Sequence, residues 1–302
     1  MNNPSDEGML RARKSYEIVK PPLPATSFEE YANKAVQELA HLLDSGECDE
    51  QPYQLLLEKY PVLIPGTHPV IDAGHNGYFP GVISQPRLTG LQSRIPDFAV
   101  ISWDSGTLYV ALIELESPCK RWATGDGQAT RELTQALQQL RDWQIWFDDP
   151  ANLQRFRDEY RIPDHVWRDR ELELRCVLVY GRRADLKRSH FERKRNKLAR
   201  EGEVLMSWDR IAPNHGLADP LVVLLKPEGY VALSVPPTVR LGPSAAGTHA
   251  MIGGKVEAVL RSDLIPEERR DFMAHRWPYW DNWARDRDRN ELTTFSNMLD
   301  LE

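Results

Sequence analysis

The stretch from Ile95 to Glu116 constrains this chain most. It reads Ile95-Pro96-Asp97-Phe98, then an Asp104-Ser105-Gly106 turn, then an almost unbroken apolar run from Leu108 to Leu115. Apolar β-formers on either side of turn chemistry predict a hairpin, and the continuous run predicts a second strand buried on both faces. Into this hairpin the sequence puts Asp97, Glu114 and Glu116. Side chains alternate along a strand, so Glu114 and Glu116 are expected on one face. Buried like charges repel and are costly to desolvate. A divalent cation is the simplest compensation, and oxygen ligands suit a hard ion such as magnesium. The alternative is that the three acids cap strand ends in water.

The next segment, Thr130 to Asp148, predicts one helix, because Leu133, Ala136, Leu137, Leu140 and Trp143 recur at helical spacing. Gln135, Gln139 and Trp143 lie four apart and share a face. A glutamine there can reach a phosphate or a metal-associated water; a solvated helix face is the plainer reading.

Pro96-Asp97, then Glu114-Leu115-Glu116, then the glutamine helix, is similar to the PD-(D/E)XK nuclease superfamily, and more closely to the Shedu (DUF4263) family of bacterial anti-phage nucleases. Tyr53 to Ile64 (YQLLLEKYPVLI) resembles that family's first core helix. Arg131 to Trp146 (RELTQALQQLRDWQIW) resembles its Ala-x-x-Gln helix. Cys176 to Gly181 (CVLVYG), the basic stretch after it, and Val204 to Ile211 (VLMSWDRI) resemble the later strand, helix and strand. The resemblance spans roughly residues 27–212; each motif is short, and their order and spacing carry it. It implies metal-dependent cleavage of DNA, anti-phage defence and homo-oligomeric assembly. Asp97 and Glu114 would hold Mg2+ or Mn2+, Glu116 would be a further ligand or the base, and Gln139 and Gln135 would position phosphate or water. Glu58, on the first core helix, is a possible accessory acid.

One departure stands out. The commonest superfamily pattern has lysine two residues after the second acid, and here that position is Glu116. A glutamate cannot stabilise developing negative charge, but it can bind a metal or accept a proton. Lys120, just beyond the strand, could supply the cation.

The net charge of −7 excludes a uniformly basic nucleic-acid binder. Charge is nevertheless concentrated. Arg182, Arg183, Lys187, Arg188, Arg193, Lys194, Arg195, Lys197 and Arg200 are opposed only by Asp185 and Glu192. We read Arg182 to Arg200 as a helix whose cationic surface could track DNA phosphates; the competing reading is a solvated face. Cys48, Cys119 and Cys176 show neither pairing nor zinc spacing, so a reducing cytoplasm is expected. Met1 to Leu10 lacks a secretory pattern, and no apolar run has membrane-spanning length, so no membrane partner is expected.

Along the chain, residues 1–26 read as a flexible polar tail, 27–215 as the nuclease-like domain and 216–302 as a C-terminal extension of unknown role. Ser27-Phe28-Glu29-Glu30 is a capping box opening a helix to about Asp44. A second helix covers Pro52 to about Tyr60. Residues 65–94, with His68 and His75, read as strand fragments and loops, and those histidines lack the spacing of a zinc pair. In the extension, Gly242 to Gly247 (GPSAAG) has phosphate-loop glycines without the required lysine. Trp277, Trp280 and Trp283 read as a packing or oligomer surface before a base-stacking one.

The fold class expected is α/β: a restriction-endonuclease-like core with a central mixed sheet flanked by helices, plus the extension. The function expected is a metal-dependent DNA endonuclease; the alternative is a catalytically inactive nuclease fold that binds DNA or a partner.

Overall fold

The structure, a computed structural model, describes residues 16–67, 70–71, 73–74, 76–90, 95–188, 191–285 and 302. Helix α1 (Phe28–Asp44) starts where the capping box predicts, with the Ser27 side chain accepting from the Glu30 N–H. Asp49 caps α2 (Glu50–Lys59) in the same way. Strands β1 (Asn76–Ser84), β2 (Phe98–Trp103) and β3 (Thr107–Leu115) follow. The β2–β3 turn is closed by Asp104, whose carboxylate accepts from the Gly106 and Thr107 N–H groups at 2.9 and 2.8 Å. Thr130 caps the glutamine helix α3 (Arg131–Phe147), and α4 (Pro150–Glu159) and the short α5 (Asp164–Trp167) lead to β4 (Glu171–Val179). Then come α6 (Arg183–Arg188), α7 (Glu192–Leu198) and β5 (Glu203–Met206), the hairpin β6 (Leu221–Lys226) and β7 (Gly229–Ser234), α8 (Pro243–His249), the short β8 (Ile252–Gly253), α9 (Lys255–Arg261) and α10 (Glu267–Arg285).

The eight strands form one mixed sheet in the order β5-β4-β3-β2-β1-β6-β7-β8, with helices on both faces. Strand β3 shows why its sequence is so apolar. Leu108, Val110 and Leu112 pack with Leu133, Leu137, Leu140 and Trp143 of α3. Ala111, Ile113 and Leu115 pack on the opposite face with Tyr31 and Ala35 of α1 and Tyr53 and Leu57 of α2. A strand covered on both sides has no solvent face to alternate with.

Four expectations change. The described part of 216–302, residues 216–285 and 302, is continuous with the core, since β6 pairs with β1 and extends the same sheet through β7 and β8. Of the expected tail, residues 1–15 lie outside the described residues, and 16–26 pack down: Tyr16 sits 5.8 Å from Trp280 and Trp283, and Val19 exchanges backbone hydrogen bonds with Glu302. The basic segment is two short helices rather than one. Its path folds inward at Leu186 and Phe191, both buried, and the Phe191 N–H donates to the Leu186 carbonyl. Finally, Cys48 and Cys119 form a disulfide with a Cα–Cα distance of 5.4 Å. The pairing is invisible in the spacing because the fold brings together cysteines 71 residues apart. The cysteine argument for a reducing compartment therefore falls; only Cys176, fully buried, is free.

The tryptophans of α10 are settled as packing: Trp277, Trp280 and Trp283 are buried in the larger core cluster. The glycine-bearing GPSAAG stretch begins α8. His68 and His75 lie outside the described residues. Among the described residues, no helix is long and apolar enough to cross a membrane.

Candidate active site

Antiparallel pairing sets the centre of the site. The β2–β3 register runs as far as Phe98 opposite Ile113, so Asp97, just before β2, and Glu114, the next residue of β3, flank that last pair on adjacent strands. Two hydrogen bonds tie Asp97 to β3: its N–H donates to the Ile113 carbonyl at 2.9 Å, and its carboxylate accepts from the Leu115 N–H at 2.6 Å. Like charges brought close on neighbouring strands destabilise a sheet.

The electrostatics follow. Burial pushes the Asp97 carboxyl up to about 7 against the opposing pull of the Leu115 N–H, and the charges of Glu50 and Glu58 on α2 add to the rise. Burial raises Glu114 well above the usual carboxylate range, and Asp97 raises it further. Among the described residues, no lysine or arginine forms an ion pair with either acid. One oxygen of Glu114, Oε2, is buried with no hydrogen-bond partner.

Gln139 belongs to this centre. Glu114 continues the Leu108-Val110-Leu112 series toward α3, and Gln139 lies within the buried stripe of that helix. A buried amide needs partners; its Nε2 donates to Glu114 Oε1 at 2.6 Å. Gln135, one turn earlier, is exposed.

Glu116 is placed differently from Glu114. Its backbone still belongs to the sheet edge, with its N–H donating to Val179 and its carbonyl accepting from Trp208 Nε1 at 2.7 Å. Its carboxylate is paired with the Lys120 ammonium, which also binds Glu50 Oε1 at 2.8 Å. The lysine missing from two residues beyond Glu114 is thus replaced by a glutamate with a nearby lysine drawn onto it. Gly181, at φ 55°, lets the end of β4 approach this loop; a Cβ there would lie 2.6 Å from the Lys120 carbonyl oxygen. The Cys48–Cys119 bridge ties the same loop to the start of α2.

Glu58 accepts from Ser84 Oγ at 2.6 Å and Gln54 Nε2 at 3.1 Å, on the side of Asp97. Sequence reasoning missed Glu50, Gln54 and Ser84. The four-residue spacing of Glu50, Gln54 and Glu58 was the available signal, since it places all three on one side of α2. Among the described residues, no three Asp, Glu, His or Cys side chains are grouped as around a metal ion. The structure therefore joins Asp97 to Glu114 but engages Glu116 with Lys120.

The basic residues divide. Arg182 is committed to structure, binding Asp209 at 2.9 Å and the Leu43 carbonyl at 3.1 Å. Arg183, Arg193, Lys194 and Lys197 are exposed and Arg195 is half-buried, while the side chains of Lys187 and Arg188 lie outside the described set.

No curated protein matches the chain. A family model does: that of the Shedu protein SduA, C-terminal, matches residues 47–211, more than half of the chain. The match begins at the disulfide-bearing segment before α2, takes in the acid pair and the glutamine helix, and ends just after β5. It covers the elements from which the site is built, and the chain belongs to the Shedu family.

Proposed function

We propose that this Shedu protein is a metal-dependent DNA endonuclease with a PD-(D/E)XK-type site at the start of β2 and the end of β3. Family membership associates the chain with anti-phage defence. The observation that carries the chemistry is the cross-strand pair Asp97 and Glu114, both pushed toward protonation, with Glu114 Oε2 buried and unpartnered. Such a pair fits a divalent cation: oxygen donors suit Mg2+ or Mn2+, and a cation removes both the repulsion and the orphaned oxygen. Bound there, it would lower the pKa of an attacking water and stabilise charge on the phosphate.

The chain's own residues supply the rest. Asp97 and Glu114 hold the ion. Gln139 fixes the Glu114 rotamer by holding one oxygen and leaving the other free. Glu116 holds Lys120, and the Lys120 ammonium takes the charge-stabilising role that the commoner pattern gives to a lysine on the strand. Gln54 braces the Asp97 carbonyl from α2 at 3.5 Å and is itself held by Glu58. The partner is DNA, met by the exposed arginines and lysines of α6 and α7, and the working unit is a homo-oligomer.

A second reading, a nuclease fold that binds without cutting, is favoured by the lack of a three-membered metal-holding group among the described residues. One experiment separates the two. Purified protein is incubated with linear and circular DNA under chelator, Mg2+ and Mn2+. We expect cleavage only with metal, abolished in Asp97→Asn and Glu114→Gln; cleavage under chelator, or cleavage retained in either variant, defeats the nuclease assignment. Binding without cutting under every condition selects the second reading.

A further inference from the structure

The chain holds a second uncompensated charge cluster, of opposite sign, on the same edge of the sheet. Strands β3, β4 and β5 run parallel, and their ends are in register: Leu115 pairs with Val179, and Val179 with Met206. Three segments therefore leave the sheet side by side. Glu116 follows β3, Gly181 to Arg183 follow β4, and Ser207 to Arg210 follow β5. They are tied together, with Trp208 donating from its backbone to the Gly181 carbonyl at 3.2 Å and from its ring to the Glu116 carbonyl at 2.7 Å. Ligands of α/β sheets bind outside the carboxyl ends of parallel strands, where such loops diverge.

Beside that edge lies a cleft of about 450 Å³ between α6, α7 and the turn after β5. Arg183, Arg193, Arg195 and Arg210 line it, opposed by Glu192 alone. Arg195 is held below the usual guanidinium range by partial burial and by the charges of Arg210 and Arg183, with Glu192 acting the other way. Ser207 also lines the cleft; its hydroxyl is fully buried and has no hydrogen-bond partner. Crowded guanidinium groups next to an idle hydroxyl form the donor set for an oxyanion. Arginine forks match phosphate oxygens bidentately, and a serine hydroxyl can donate a further hydrogen bond.

We propose that Arg183, Arg195 and Arg210, with Ser207 at the base, form a phosphate-binding pocket separate from the acid pair. Its ligand is a phosphate group of the DNA strand, held while another part of that DNA lies over Asp97 and Glu114. Arg193 at the rim admits the strand. This deepens the nucleic-acid reading and rests on it for the source of the phosphate, but the pocket itself does not depend on cleavage.

The test measures binding under chelator, where no metal-dependent cutting occurs. A short fluorescent duplex is titrated over a salt series with wild-type protein, with Arg195→Gln/Arg210→Gln, with Ser207→Ala, and with Lys34→Gln/Lys226→Gln as an exposed control of equal charge change. The arginine double variant should weaken DNA binding about tenfold or more and lower the slope of log affinity against log salt by about two, as expected for two lost phosphate contacts. Ser207→Ala should weaken binding without changing the slope, and the control should change neither. In parallel, inorganic phosphate and a nucleoside monophosphate are tested for raising the melting temperature. Stabilisation lost in the arginine variant, with duplex binding unchanged, would mean that the pocket takes a free phosphate ester and would overturn the DNA strand as its ligand. Wild-type-like affinity and slope in the arginine variant, with no phosphate stabilisation, overturns the pocket altogether. A wild-type protein that never cuts DNA but shows the expected binding pattern loses the nuclease assignment and keeps the pocket.

Discussion

Two parts of this molecule bury charge, and they do so in opposite ways. Around α10, Arg269 is fully buried, but its guanidinium reaches both oxygens of Glu302, at 2.8 and 3.1 Å, and the carbonyls of Leu23 and Val239. Lys255, equally inaccessible, is paired with Asp281 at 2.8 Å. Where β2 starts and β3 ends, two acids lie close together with no ion pair among the described residues and one carboxylate oxygen idle. In the first arrangement each charge is paired with an opposite charge within the chain, although Arg269 Nε and Asp281 Oδ1 lack a partner among the described residues, so the pairing energy goes into holding the fold. The second carries a standing cost of repulsion and desolvation, which a fold tolerates where a ligand relieves it.

The sharpest way to break this contrast is to remove one member of each region. Asp97→Ala or Glu114→Ala should reduce metal-dependent DNA cleavage by about 10²–10³-fold or more while leaving the circular dichroism spectrum intact and the protein no less stable. Arg269→Ala should do the reverse, costing about 3–5 kcal/mol of stability by stranding Glu302. If the acid variants unfold, or Arg269→Ala is as stable as wild type, the contrast between functional and structural charge is wrong.

The Cys48–Cys119 bridge joins the loop bearing Lys120 to the start of α2, so it belongs to the folded scaffold around the acids. Closing a loop of 71 residues removes unfolded-state freedom worth about 4 kcal/mol in the chain-entropy model. Cys48→Ala/Cys119→Ala should therefore lower unfolding free energy by about 2–4 kcal/mol in urea titrations. An unchanged midpoint would mean that the loop is held by its hydrogen bonds alone.

Glu116 tests the boundary between the two regions, because it is the acid that already has a partner. Glu116→Gln keeps the shape but releases Lys120, and should cut activity about 10–100-fold with metal affinity less affected than in Glu114→Gln. Glu116→Lys puts a second ammonium beside Lys120 and should also be poorly active. A native protein that does not cut and a Glu116→Lys variant that does would identify a degenerate nuclease.

How far the sequence anticipated this depended on the range of the interaction. That Asp97 and Glu114 sit on adjacent strands was legible because a hairpin fixes its own register through a local turn. The four-residue spacing put Gln135 and Gln139 on one face of α3, but which of them is buried against the sheet depends on how the helix docks. The Cys48–Cys119 bridge, the Lys120 contact to Glu50 and the arginine cleft were not legible, because each joins segments that meet only through parallel pairing or helix docking. The break between α6 and α7 was hidden for a related reason. Charge composition favoured one solvated helix, and the deciding residues were two apolar ones, Leu186 and Phe191, whose burial depends on the rest of the core.

The smallest expected effect concerns pH, and it gives the comparison a sign. Asp97 titrates at about 7 in the folded chain, well above an unfolded aspartate, and Glu114 is displaced the same way. The folded state thus binds more protons than the unfolded state between the ordinary carboxylate range and about pH 7. Stability from this pair is present at low pH and is lost as pH rises through that window. Asp209 has the opposite character. Burial alone would raise it, but the Arg182 side chain and the Arg183 N–H outweigh burial and hold its carboxyl below the usual range. Its stabilisation is present above the unfolded value and is lost as pH falls through the depressed one. At pH 8 without metal, Asp97→Asn should therefore stabilise the protein by about 1–2 kcal/mol, while Asp209→Asn should destabilise it by about 1 kcal/mol. Adding Mg2+ or Mn2+ at pH 8 should raise the wild-type melting temperature and leave Asp97→Asn nearly unmoved, because the ion supplies the charge that the neutral amide no longer requires. At pH 5 the metal should do little to either protein, since protons already occupy the pair. Equal stabilisation of both proteins by metal at pH 8 would place the cation elsewhere and leave the acid pair as a cost without a ligand.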